Sequence, residues 1–227
     1  MKRAAFTLTE LLVVIAIVAI LAGIALPVSL KIAEKQKEVR DVRNLHELGI
    51  GSFAYKYDHN DRIFSNATAG GWPSVLHAKY VTDWKNFKSP FDGRPGGGDA
   101  ADGEGVPVSY GINANILAQS TGGTDTFDGH TTNYTSPSQL IYMAPNVDLT
   151  QTTLTFLPGM GNTNVSLNPP TRVPAIRSDN RGTHSGRTEI NVFFADGHMA
   201  NILYRDYATT SSADGSGQAR WQPIHPK

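Results

Sequence analysis

The sequence contains no cysteine. Disulfides, thiolate zinc sites and thiol nucleophiles are therefore excluded, although the compartment is not, because exported proteins also do without cysteine. There is no excess of either charge. Twenty Lys and Arg balance 20 Asp and Glu, so no global field exists to hold nucleic acid, and no nucleic-acid partner is expected. Motifs of enzymes are missing too: there is no G-x-S-x-G, no phosphate-binding loop, no H-E-x-x-H and no paired-carboxylate context. Catalysis is not expected. Apolar residues amount to 40% of 227, slightly low for a chain long enough for one domain with an appendage. Those that are present are concentrated at one end.

From Leu11 to Leu26 sixteen consecutive residues are apolar or glycine, and with Pro27, Val28, Ser29 and Leu30 the stretch reaches twenty before Lys31. About 20 helical residues span the ~30 Å hydrocarbon core of a bilayer. The segment is a transmembrane helix candidate. Its rival is a cleaved secretory signal, since Lys2 and Arg3 form a positive start. Three details oppose that rival: the run exceeds the usual ~7–15 residues of such a signal, no A-x-A-like site followed by a polar break closes it, and Glu10 sits at its entrance. A carboxylate at the edge of hydrocarbon costs up to about 2.5–3.5 kcal/mol and tends to find a partner. Glu10 either lies hydrated at headgroup depth or pairs with a cation once the helix packs against copies of itself.

The residues Lys2-Arg3-Ala4-Ala5 followed by Phe6-Thr7-Leu8-Thr9-Glu10-Leu11-Leu12-Val13-Val14-Ile15-Ala16-Ile17 resemble the leader and first helix of type IV prepilins and type II secretion pseudopilins. The resemblance covers roughly the first 60 residues, with Pro27 standing where that family has its proline. It implies that a membrane prepilin peptidase cuts between Ala5 and Phe6 and that the new Phe6 amine is methylated. Ala5 stands where the family usually has Gly. The resemblance also implies an assembly role for Glu10, whose carboxylate would neutralise the first-residue amine of a neighbouring subunit in a low-dielectric filament core. Pro27, lacking an amide hydrogen, is expected to kink or locally melt the helix, with Gly23 adding to the weakness. Without Met1 to Ala5 the chain loses Lys2 and Arg3, leaving 18 basic against 20 acidic side chains.

After Leu30 the composition turns charged and amphipathic. Ile32, Val39, Val42, Leu45 and Leu48 recur at near-helical spacing, while Lys35, Lys37, Glu38, Arg40, Asp41 and Arg43 lie elsewhere. One helix is expected from about Phe6 to about Tyr57, locally weakened at Gly49 and Gly51, with Asp58-His59-Asn60-Asp61 as its polar stop. The division is then a leader at 1–5, a transmembrane and polymerisation helix at 6–30, an amphipathic second half at 31–60, and a β-rich head at 61–227. In the head, Ser109 to Asn113 and Leu140 to Met143 read as strands. Glu189 to Ala195 and His198 to Tyr204 flank Asp196-Gly197, the signal of a two-residue type I′ hairpin. Gly93 to Gly105 reads as a flexible loop, and Trp221 as a residue that docks the tail. The fold class is α+β: a long N-terminal helix on a small antiparallel sheet with long loops.

The head also resembles one large family of pseudopilin-like proteins. Lys88-Ser89-Pro90-Phe91-Asp92 is similar to its "CPSD" element, Ser109-Tyr110-Gly111-Ile112-Asn113 to "SYGxN", and His184 with Asn191 to His198 to the carboxy-terminal "H-x9-DG" signature. Ser89 replaces the cysteine, and eleven residues separate His184 from Asp196. His184, Asp196 and His198 could converge at one end of the hairpin as metal ligands or an acid/base pair, or serve as turn, cap and strand-start residues. Asp92, Asp99, Asp102 and Glu104, or Asp125 and Asp128, could give oxygens to a structural calcium, or be solvated loop carboxylates. No other cofactor is expected.

The leading expectation is a pseudopilin of a type II secretion-like machine, a single-pass protein of the inner membrane with its head in the periplasm or outside. It would assemble with itself or other pilin-like subunits, served by prepilin peptidase, an inner-membrane platform and a cytoplasmic assembly ATPase. The alternative is a type IV pilus subunit for adhesion, motility or DNA uptake; absence of a carboxy-terminal disulfide favours the pseudopilin. A third reading is a membrane-tethered binding domain that does not polymerise.

Overall fold

The computed structural model describes residues 8–64, 71–92, 108–113, 116, 134–145, 166–167, 182–208 and 220. In chain order the elements are α1 (Leu8–Asp58), α2 (Gly71–Lys79), a short 3-10 helix (Trp84–Phe87), β1 (Tyr110–Asn113), β2 (Ile141–Pro145), β3 (Ser166–Leu167), β4 (Glu189–Phe194), β5 (Met199–Leu203) and α3 (Tyr204–Ala208). The expected loop at 93–105 and Trp221 lie outside the described residues. The chain divides into two compact units, Met1–Val39 and Arg40–Lys227.

In the first unit α1 is apolar and unburied. No residue from Leu8 to Lys37 is buried, and α1 is long and apolar enough to cross a membrane. The helix runs unbroken through Pro27. Two residues on, the Ser29 hydroxyl donates to the Leu26 carbonyl at 2.8 Å. The charged end of this unit is stitched locally by Lys35 and Glu38, 2.6 Å apart.

In the second unit, the buried residues of α1 are Asp41, Asn44, Leu45, Leu48, Gly49, Gly51 and Ser52. Their spacing of three and four marks one face, which keeps Leu45 and Leu48 of the expected apolar stripe but not its earlier members. Ile32 and Val39 remain more than half exposed, whereas two glycines, two polar residues and a carboxylate face inward. The glycines are points of close approach, not weak points. A Cβ on Gly49 would lie 2.4 Å from the Phe193 ring, and one on Gly51 would lie 2.6 Å from Val81. The helix stops as its sequence suggests: Asn60 and Asp61 take left-handed φ values of 54° and 59°, and the Asp61 amide returns to the Lys56 carbonyl at 3.0 Å.

The sheet has the order β3-β1-β2-β4-β5. Four strands pair antiparallel, from Tyr110↔Pro145 between β1 and β2 to Phe193↔Met199 between β4 and β5. The α+β, pilin-like architecture is thus present. The fifth strand departs from it, because β3 joins β1 in parallel through Ile112↔Ser166 and Asn113↔Leu167. A parallel partner needs a long crossover, and the segment from β1 to β3, which passes through β2, supplies one.

One face of the sheet carries Tyr110, Ile112, Tyr142, Met143 and Phe193 into a core with Leu45, Leu48, Leu76, Trp84 and Phe87. The other buries Ile141, Ile190, Val192 and Phe194 with Tyr204 and Tyr207 of α3. With both faces covered, β2 is buried at every position and β4 at every position after Glu189.

The β4–β5 connection is a three-residue loop rather than the two-residue type I′ turn. The Phe194 amide donates to the His198 carbonyl at 2.9 Å and the Gly197 amide to the Phe194 carbonyl at 3.0 Å. Within the loop only Gly197 has positive φ, at 96°. This is the arrangement of a β-turn followed by a left-handed glycine. Asp196 stabilises it by accepting from the His198 amide at 3.1 Å.

Phe193 cannot yield to a methyl group on Gly49, since its ring is wedged against Phe53 at 5.4 Å and Tyr142 at 6.0 Å. Gly49→Ala is therefore expected to destabilise the head by about 1–3 kcal/mol of overpacking, exceeding the gain of ~1 kcal/mol in helix propensity. Urea denaturation followed by near-ultraviolet circular dichroism measures the loss.

Candidate functional site

The motif-like segments of the head meet at a carboxylate that sequence reasoning placed off the apolar face. Asp41 is fully buried. Its Oδ1 accepts from the Ser89 hydroxyl at 2.5 Å and the Tyr110 hydroxyl at 2.8 Å, and its Oδ2 from the Asn191 side-chain amide at 2.9 Å. Each donor belongs to a different segment singled out in the sequence: Ser89 to the CPSD-like element, Tyr110 to the SYGxN-like element, Asn191 to the carboxy-terminal segment that resembles the H-x9-DG signature. A carboxylate taken from water without such bonds would be expelled or protonated. The signal was in the spacing: Asp41 precedes Asn44, Leu45, Leu48 and Ser52 by helical steps.

Around Asp41 the same segments are pinned by further bonds. Asn44 Nδ2 donates to the Lys88 carbonyl at 3.0 Å, and Ser89 Oγ accepts from the Phe91 amide at 3.3 Å. Asp92, one of the expected calcium ligands, is buried and accepts from the Ser109 hydroxyl at 2.6 Å. At the end of the SYGxN-like element, Asn113 Nδ2 donates to the Ile141 carbonyl at 3.0 Å, joining β1 to β2.

His184 is buried, with its ring 5.5 Å from that of Phe91. Asn201 gives its Nδ2 hydrogen to Glu189 at 2.7 Å, so its Oδ1 faces His184 Nε2 at 3.2 Å and that nitrogen is the donor. Nδ1 lies 2.8 Å from Thr183 Oγ1. Both ring nitrogens are thus engaged by neighbours other than Ser89. Ser89 and His184 accordingly do not form a nucleophile and base.

The expected convergence of His184 with Asp196 and His198 does not occur. His184 bridges to Glu189 at the start of β4, while Asp196 and His198 belong to the loop that follows its end. Five residues of strand at about 3.3 Å each separate the two ends. Asp196 Oδ1 instead lies 2.6 Å from His198 Nδ1, and the imidazole stacks on Phe194 with ring centroids 4.3 Å apart and planes at 4°. Burial pushes the Asp196 carboxyl up, but the bonds from His198 outweigh it and the net direction is down. Among the described residues no three His, Asp or Glu come together to hold a metal ion. Asp99, Asp102, Glu104, Asp125 and Asp128 lie outside the described residues.

At the other end of the chain, Glu10 occupies the first turn of α1, where a carboxylate also meets the positive end of the helix dipole. Pro27 lies within the helix. Ala5 and Phe6 lie outside the described residues. Residues 1–26 match the family model of the prokaryotic N-terminal methylation motif. The chain carries a prepilin-type cleavage and methylation segment. That segment implies processing by a prepilin peptidase, and with the apolar helix behind it marks a pilin-like chain with the means of membrane anchoring. No curated protein and no solved structure matches the chain.

The Tyr110 hydroxyl contacts Asp41 in a site closed to water, where a hydrogen bond to a charged or polar partner contributes about 1–3 kcal/mol. Tyr110→Phe is expected to lower the stability of the head by that amount while leaving secondary structure unchanged, as read by urea denaturation and far-ultraviolet circular dichroism.

Proposed function

We propose that the protein is a filament subunit, a pseudopilin of a type II secretion-like machine, whose work is mechanical. The observation that carries this reading is the methylation motif at residues 1–26, leading into an apolar helix with no buried residue before Glu38. A contiguous apolar surface far above a few hundred Å² does not persist in water. It needs lipid first and other copies of the helix afterwards.

Cleavage between Ala5 and Phe6 would free an amine at the start of that helix. Glu10 follows Phe6 by four positions in the sequence, far from the charged stretch that begins at Lys31. In a filament core the amine of one subunit and the Glu10 carboxylate of another would neutralise each other, and an unpaired member would be costly. That pairing sets the register between subunits, while burial of Leu and Ile side chains at about 1.5–3 kcal/mol each supplies the cohesion. The head would face the periplasm or the outside, and the peptidase, platform and assembly ATPase would perform the chemistry. Absence of cysteine supports the pseudopilin over a type IV pilus subunit, whose carboxy-terminal loop is closed by a disulfide.

Two measurements test this. Mass spectrometry of the protein from its native membrane is expected to show a chain beginning at Phe6 with one added methyl group. Glu10→Val is expected to leave cleavage and head folding intact yet abolish filaments in the sheared fraction seen by electron microscopy; filaments of unchanged number and length would overturn the proposal.

A further inference from the structure

The Asp41 cluster has a composition unusual for a buried carboxylate. Its three hydrogen-bond partners, Ser89, Tyr110 and Asn191, are all uncharged. They come from three elements packed around α1: the segment after the 3-10 helix, β1 and β4. Among the described residues the ionisable groups facing it are Tyr110 itself and, from the segment before β4, His184, whose charge would act on it through space. Among the described residues no Lys or Arg bonds to it.

Hydroxyl and amide groups differ from a guanidinium in one decisive respect, namely that each can accept as well as donate. Ser89 and Tyr110 can turn their hydrogens away and receive one from Asp41. Asn191 is 1% exposed and its Oδ1 has no hydrogen-bond partner. Rotation of the amide brings this acceptor to Asp41 Oδ2, where a carboxylic acid hydrogen would meet it. The cluster can therefore hold Asp41 with or without its proton.

We propose that Asp41 is a proton-operated latch, through which the head grips the second half of α1 more tightly when the carboxyl group is protonated. Adding the proton removes a buried charge that no cation among the described residues neutralises at hydrogen-bond range, and it breaks none of the connections between the three elements. In keeping with this, burial pushes the Asp41 carboxyl above its ordinary value of 3.8, against the bonds from Ser89, Asn191 and Tyr110 and the influence of His184. A folded state that holds the proton more firmly than the unfolded chain is favoured below pH 3.8 and loses that advantage as pH rises through the raised value.

The test is urea denaturation of the full chain in detergent micelles at several pH values from about 4 to about 8, comparing wild type with Asp41→Asn, which cannot ionise. Stability of the wild type is expected to fall relative to the variant as pH rises, by up to about tenfold in the folding constant per pH unit within the window. Parallel curves for the two proteins would overturn the latch. Should the variant not fold, the carboxyl carbon of Asp41 in the wild type is followed by nuclear magnetic resonance. A midpoint above 3.8 supports the latch, and one at or below it refutes it.

Discussion

A carboxylate inside a protein must be met by hydrogen bonds, and at Asp41 that requirement draws together segments 48, 69 and 150 residues away along the chain. Each donor is fixed by its own surroundings. Ser89 follows the 3-10 helix that seats Trp84 and Phe87 in the core, Tyr110 begins β1, and Asn191 lies within β4. Loss of registry in any of these elements would strand a buried charge. The cluster thus works as a specification of geometry more than as a source of net stability, which buried polar groups often do not provide.

The close approach of α1 to the sheet is the condition for that contact. Side chains of ordinary size at positions 49 and 51 would hold the helix away from Phe193 and Val81, and Asp41 two turns earlier would lose its donors. Large rings fill the remainder, with Phe53, Tyr142 and Phe193 meeting edge to face. The first unit obeys the opposite rule. Its residues are large, aliphatic and outward, and in the proposed function lipid or other chains complete its energetics.

Hydrophobic periodicity and turn chemistry made much of this legible in advance. The single long helix and strands β1, β2, β4 and β5 could be located in this way, and the methylation segment through its resemblance to prepilin leaders. The inward face of α1 was legible only at Leu45 and Leu48, because a reading based on apolar residues passes over Asp41, Asn44, Gly49, Gly51 and Ser52. The three motif-like segments drew attention to the right residues, but through a supposed meeting of His184 with Asp196 and His198. Local forces hold these apart: Asp196 and His198 satisfy each other across a tight loop, and His184 is engaged by Thr183 and Asn201. Strand β3 was invisible for another reason, since two residues pairing in parallel with a distant strand leave no periodic trace.

The distance between Asp41 and Asn191 along the chain also sets an order of events. A helix forms from contacts a few residues apart and can appear early, whereas pairings of high sequence separation wait for loop closure. During synthesis, α1 therefore emerges and can enter a bilayer while Asp41 still faces water. Only when β4 has been made does the carboxylate find its third donor, so α1 is complete before the head can close around it.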